Sequence, residues 1–175
     1  MEGPGAGSPG TKTLAFQFLK DSTITIKNGT LAAKDTDEIK MLIQNYSNLT
    51  LDNVKLIGTE HIQYLCSDNY GTVVFKNGTE FNVVGNGVAF DVWYGLDKNG
   101  AYDNPGVFVT VADDSVKVNG PVEYGKQGRA SDEDFRTKSS LTVPVDMDIN
   151  FRSKPSDFDW VDNGDGTKTL KYSGT

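Results

Sequence analysis

The side chains able to do chemistry are few in this sequence. It has one histidine, His61, and one cysteine, Cys66. Nucleophilic catalysis needs a base held beside the nucleophile. No motif brings His61 to Cys66 or to a serine. Cys66 sits in the apolar run Ile62-Gln63-Tyr64-Leu65-Cys66 and reads as a small buried hydrophobe. A structural zinc site takes four ligands from Cys, His, Asp or Glu, mostly Cys and His, so one of each leaves none to build. Asp113-Asp114 is a carboxylate pair, but neighbours on a strand point to opposite faces. A turn is the simpler reading. Asp162-Asn163-Gly164-Asp165-Gly166 has the look of a calcium loop. With Gly166 as its glycine, Val161 falls where the first carboxylate belongs, and no bidentate Glu follows. The expectation is no catalytic residue, no metal ligand set and no cofactor; surface calcium is compatible with the acidic composition alone.

That composition narrows the partners. The 175 residues include 24 acidic and 17 basic side chains, for a net charge of −7. Nucleic acid is excluded, because its backbone is bound by clustered Lys and Arg. The arginines are Arg129, Arg136 and Arg152, and they are scattered. No apolar run approaches the roughly 20 residues of a membrane span. The stretch 1–10 is rich in Gly and Pro and lacks the basic and apolar segments of a signal peptide. It reads as the middle of a loop, as if the chain were cut from a longer one.

A repeat organises the chain. Shifting Asn45–Asn53 by 24 residues lays Asn45 on Asn69, Tyr46 on Tyr70, Leu49 on Val73, Leu51 on Phe75 and Asn53 on Asn77. An earlier copy, Thr23–Asn28, lies 25 residues before Asn48–Asn53. Fainter copies are Val107–Val111 and Leu141–Val145. Within each copy apolar residues alternate with Thr, Lys or Asp, the signature of a half-buried strand. No helical segment long enough for a crossover separates them. Two or three short strands per repeat fit one coil of a solenoid. The expected fold is all-β: a single-stranded right-handed parallel β-helix of about five coils over residues 1–155. Asn45 over Asn69 and Asn53 over Asn77 would form amide ladders. The sequons at Asn28, Asn45, Asn48 and Asn77 read as turn and ladder chemistry.

Two segments break the repeat. Tyr94–Gly106 and Gly125–Ser140 read as insertions, and insertions on a solenoid flank are common places for binding. The aromatic residues Trp93, Tyr94 and Tyr102 lie at the first and are the candidate ligand contacts, since sugar rings stack on such faces. Residues 156–175 read as a hairpin, with Asn-Gly and Asp-Gly turns and with Trp160 and Leu170 placed to cover the end of the coils.

The runs Ser22–Leu31 and Met41–Val54, and the ending Trp160–Thr167, resemble right-handed parallel β-helix (pectin-lyase-like) proteins of gut Firmicutes and their phages. The resemblance spans roughly Ser8 to Leu170. It implies a fold and a habitat more than an activity. Lyases of that fold hold calcium on acids and use an Arg or Lys base; this chain has no Arg in its early coils. Hydrolases of that fold cluster aspartates near a Gly-His-Gly; His61 lacks that flank. The resemblance therefore implies a non-catalytic structural or binding module of a bacterial surface protein, extracellular, adhesive or carbohydrate-binding. The alternatives are a virion decoration or fibre protein and a polysaccharide lyase or hydrolase. The expected partner is a glycan or another surface or virion protein. No oligomeric state follows, although exposed coil ends invite self-association.

Overall fold

The computed structural model describes residues 14–35, 38–96 and 104–174. It is all-β apart from one short helix. The strands are β1 (Leu14–Phe18), β2 (Thr23–Ala32), β3 (Met41–Asn45), β4 (Asn48–Ile57), β5 (Tyr64–Asp68), β6 (Gly71–Lys76), β7 (Glu80–Asn82), β8 (Val88–Tyr94), β9 (Val107–Val111), β10 (Lys117–Asn119), β11 (Val122–Lys126), β12 (Ser139–Pro144), β13 (Phe151–Ser153), β14 (Phe158–Asp162) and β15 (Thr167–Tyr172). The helix α1 spans Asp132–Thr137.

The chain alternates between two sheets. The first has the order β1-β3-β5-β8-β11-β13. The second runs β10-β7-β4-β6-β9-β12-β15-β14, with β2 also on β4. Every pairing is parallel except β12–β15 and β14–β15. In the second sheet Leu49 lies beside Val73 and Leu51 beside Phe75, the register the repeat predicts. The apolar members of the central alternations are fully buried: Leu49, Leu51, Val73, Phe75, Val109, Leu141 and Val143; Ile24 and Ile26 on the outer strand β2 are half-buried. Between the sheets Phe75, Phe81 and Phe90 pack with ring centroids 4.8 to 5.4 Å apart. Hydrophobic burial of this kind, about 25 cal/mol per Å² of apolar surface, is what holds stacked strands together.

The predicted ladders are corrected in detail. In the first sheet Asn45 lies in register with Asp68, not Asn69. The spacing there is one residue shorter than in the second sheet. Asn69 takes the Asn45 carbonyl with its backbone N–H at 3.0 Å, and spends its side-chain amide on the Trp93 carbonyl at 3.3 Å. At the other corner Asn53 donates to the Asn28 amide oxygen at 3.0 Å, so one rung of an amide ladder exists. Asn77 instead donates to the Asp52 carboxylate at 3.0 Å. Asn28, Asn53 and Asn77 share a left-handed backbone, with φ of 58°, 57° and 54°. Asn tolerates that region better than other residues with a Cβ, which is why it recurs there.

The second predicted insertion contains α1. Ser131 caps it by accepting from the Asp134 N–H at 3.1 Å, and Asp132, Glu133 and Asp134 fill its first turn. That is a cap and charge pattern the sequence carries openly, and reading the segment only as an insertion missed it. Phe135 turns inward against Tyr124 and Phe158, at 5.7 and 5.0 Å. The predicted hairpin is β14 and β15. It extends the second sheet as well as covering its end: Leu170 is buried opposite Leu141, and Trp160 packs on Phe151 at 5.9 Å.

Candidate functional site

The first sheet carries two rows of polar residues. On one row Gln17, Gln44, Ser67, Asp91 and Glu123 lie side by side on consecutive strands. Gln17 is exposed, and Gln44 and Glu123 are half-buried, so this row faces outward. Gln17 donates to Gln44 at 2.9 Å. Ser67 donates its hydroxyl to both oxygens of Asp91, at 3.1 and 3.0 Å, and the Asp68 N–H donates to the same carboxyl at 2.8 Å. Tyr64 donates to Glu123 at 3.0 Å.

On the next row Asn45 and Asp68 point inward, continuing into Val92 and Tyr124. Asn45 closes a tight turn, accepting from the Ser47 N–H at 2.9 Å and its hydroxyl at 2.6 Å, and it donates to Asp68 at 3.3 Å. The second oxygen of Asp68 has no hydrogen-bond partner among the described residues.

Burial sets the protonation of these acids. Asp91 is 4% exposed, and loss of solvent pushes its carboxyl up to about 8, against the pull of its Ser67 and Asp68 bonds. Asp68 rises well above the ordinary range for the same reason, reinforced by Asp91. The raised proton affinity favours the neutral form of each, which lowers the cost of burying two carboxyls side by side. Burial also raises Cys66, which packs in the core with its sulfur 3.4 Å from Asp68. Tyr64 is pushed up to about 12 by burial and by its bond to Glu123.

Two grooves flank this sheet, one at each end of its strands. At the end where the chain leaves the sheet, a groove of ≈ 270 Å³ is lined by Tyr46, Tyr70, Phe108, Pro105, Asp21, Asn48 and Thr72, with Gly71 and Gly106 as floor. Tyr46 and Tyr70 are the pair that the 24-residue shift superposes. Both rings are half-buried, as is Phe108. The floor needs glycine. The Gly71 N–H bonds the Gly106 carbonyl at 2.8 Å, and a Cβ on Gly71, whose φ is +94°, would strike the Ser47 carbonyl. Asn48 fixes the wall by accepting from the Thr72 N–H at 2.9 Å.

At the end where the chain enters the sheet lies a wider groove of ≈ 620 Å³. Lys40, His61, Gln63, Tyr64, Asn86 and Arg152 line it. The Arg152 guanidinium is tied to the Gly87 carbonyl at 3.1 Å.

The three aromatic residues expected to contact ligand do not form one surface. Tyr94 is 1% exposed and donates its hydroxyl to the Asn104 carbonyl at 2.7 Å, so its ring is a core element and not a platform. Trp93 is half-buried over Gly125, where any Cβ would meet its ring at 2.5 Å. Tyr102 lies outside the described residues. The groove aromatics Tyr46 and Tyr70 were visible in the repeat, but as matched positions only. Their side-by-side placement at one corner is what the sequence did not show. Asn104 was missed altogether. It ties the first break to the stack, donating to the Asn69 and Gly95 carbonyls at 2.9 and 2.8 Å and accepting from the Gly106 N–H at 2.9 Å.

The acidic motifs resolve as turns. Asp113 accepts from the Asn77 and Ser115 N–H groups and from the Ser115 hydroxyl, which hold its carboxyl below the usual range. Asp162 and Asp165 accept from Gly164 and Thr167 inside the hairpin turn. Among the described residues no three His, Cys, Asp or Glu side chains converge as metal ligands, and no helix is long and apolar enough to cross a membrane. Comparison with protein-family models, curated proteins and solved structures finds no match.

Proposed function

We propose that the chain is a right-handed parallel β-helix of about five coils, closed by its C-terminal hairpin, and that it serves as a rigid glycan-binding module at a bacterial surface. Three features support the fold. The chain visits the two sheets alternately, neighbouring strands pair in parallel at every visit before the hairpin, and crossovers between parallel strands are right-handed in nearly all proteins. The resemblance to pectin-lyase-like β-helix proteins points the same way.

The observation that carries the function is the groove of Tyr46, Tyr70 and Phe108 with Asp21, Asn48 and Thr72 on its walls. Aromatic faces take the apolar face of a sugar ring, and short polar groups beside them take its hydroxyls. A rigid floor of paired backbone keeps those rings in place without ordering cost on binding. The reading is non-catalytic. Asp91, the outward acid with a raised proton affinity, is closed off by Ser67, Asp68 and its own burial. The virion and lyase alternatives have no such observation behind them.

A glycan array followed by calorimetry on the best ligand tests the reading. The intact chain binds a neutral oligosaccharide, and Tyr46→Ala or Tyr70→Ala weakens binding about tenfold, in line with roughly 0.5–1.5 kcal/mol per aromatic contact. Trp93→Ala, outside the groove, leaves affinity unchanged. If no glycan binds the intact chain, the reading is abandoned.

A further inference from the structure

The second groove differs in chemistry from the first. Its lining is polar, and it draws basic side chains from separate segments: Lys40 ahead of β3, His61 ahead of β5 and Arg152 on β13. In a chain with seven more acids than bases, cations are normally consumed by carboxylates, as Lys55, Lys126, Arg136 and Lys138 are. Lys40 and Arg152 have no carboxylate partner among the described residues. The one acid in the lining, Glu60, also belongs to a neighbouring depression with Asp35 and Val84.

Arg152 is pre-positioned. Its bond to the Gly87 carbonyl anchors one amino group, leaving the rest of its fork of N–H donors for a ligand. The side-chain amides of Gln63 and Asn86 add neutral donors to the same groove. A planar carboxylate is matched in shape by a single guanidinium fork. Donors gathered from four segments suit an anion whose oxygens point in several directions.

We propose that this groove binds a tetrahedral oxyanion, a sulfate ester or phosphate group carried on a glycan. The groove's anion chemistry stands by itself; that the carrier is a sugar rests on the glycan-binding reading above. The test is an NMR titration of the intact chain with sodium sulfate and with sodium phosphate, against sodium chloride at matched ionic strength. Sulfated, phosphorylated and uronate monosaccharides follow as separate arms.

Sulfate and phosphate should shift the amide resonances around Lys40, His61, Gly87 and Arg152, and chloride should not. Lys40→Gln, which removes no hydrogen bond or ion pair among the described residues, should weaken binding about tenfold, and Arg152→Gln by at least as much. Tyr46→Ala should leave oxyanion binding intact, so failure of the aromatic groove and failure of this one are separable. The sugar arms tell sulfate ester from phosphate as the natural source. The proposal is overturned if neither oxyanion shifts those resonances, if Lys40→Gln binds as well as the parent while its thermal midpoint is unchanged, or if the uronate sugar binds more tightly than both.

Discussion

Asparagine does two different jobs at the two edges of this molecule. At one corner Asn28, Asn53 and Asn77 sit exposed with left-handed backbones. They are there because the turn needs φ near +57°, and their side-chain bonds to Asn28 and Asp52 are secondary. At the edge of the first sheet Asn45 is fully buried and is there for its side chain. It satisfies Ser47 and reaches Asp68, which in turn neighbours Asp91. The same residue type in the same repeat answers a backbone demand in one place and a buried-polar demand in the other. An exposed turn loses only strain energy when it is changed. A buried network loses solvation that nothing replaces.

The largest expected effect belongs to the buried side and is a pH dependence. Burial pushes the Asp91 carboxyl up to about 8 in the folded chain, against about 3.9 when unfolded. The folded state therefore holds the proton more tightly. Its contribution to stability is complete below about pH 4 and is lost as pH rises towards 8, with a slope of up to about 1.4 kcal/mol per pH unit. Asp68 acts in the same direction. Urea midpoints measured from pH 4.5 to 8 should fall, and Asp91→Asn should flatten that fall. A midpoint independent of pH over this range would mean that the acids are not held protonated.

Removing the Asn45 side chain comes next. Asn45→Ala leaves the Ser47 N–H and hydroxyl without their acceptor and Asp68 with only its weak bond from the Cys66 thiol, at a cost of about 2–3 kcal/mol in chemical denaturation. At the exposed corner Asn53→Ala should cost about 1–2 kcal/mol, from forcing a Cβ into a left-handed conformation without the local bonding that Asn offers. Asn53→Gly should cost only a few tenths, because glycine accepts that backbone freely. The pair sharpens the contrast: if Gly at 53 is as damaging as Ala, the side-chain bond to Asn28 matters and the corner resembles the buried edge after all.

These positions also show how much was legible in advance. The alternation Leu49-Thr50-Leu51 and its partner Val73-Val74-Phe75 stated strand, face and register together, because side chains on stacked strands must match in kind. The turn Asn residues were equally plain. The one-residue difference between the two sheets was not. It turns Asn45 onto Asp68, and a shift found by matching Asn to Asn conceals it. Tyr94 shows a second limit. An aromatic at the edge of an insertion looks exposed in sequence, yet Asn104 folds back and buries it.

The amino-acid sequence by itself determined the strands of the repeat, their 24-residue spacing in the second sheet and the all-β class. Those follow from local periodicity and from turn residues, which need no knowledge of distant contacts. Only the tertiary structure decided where chemistry gathers. Tyr46, Tyr70 and Phe108 meet at one groove, and Lys40 and Arg152 at another, because stacking brings together residues from different turns of the chain. The proton affinities of Asp68 and Asp91 are likewise a property of burial and neighbours, and a carboxyl has neither until the chain has folded around it.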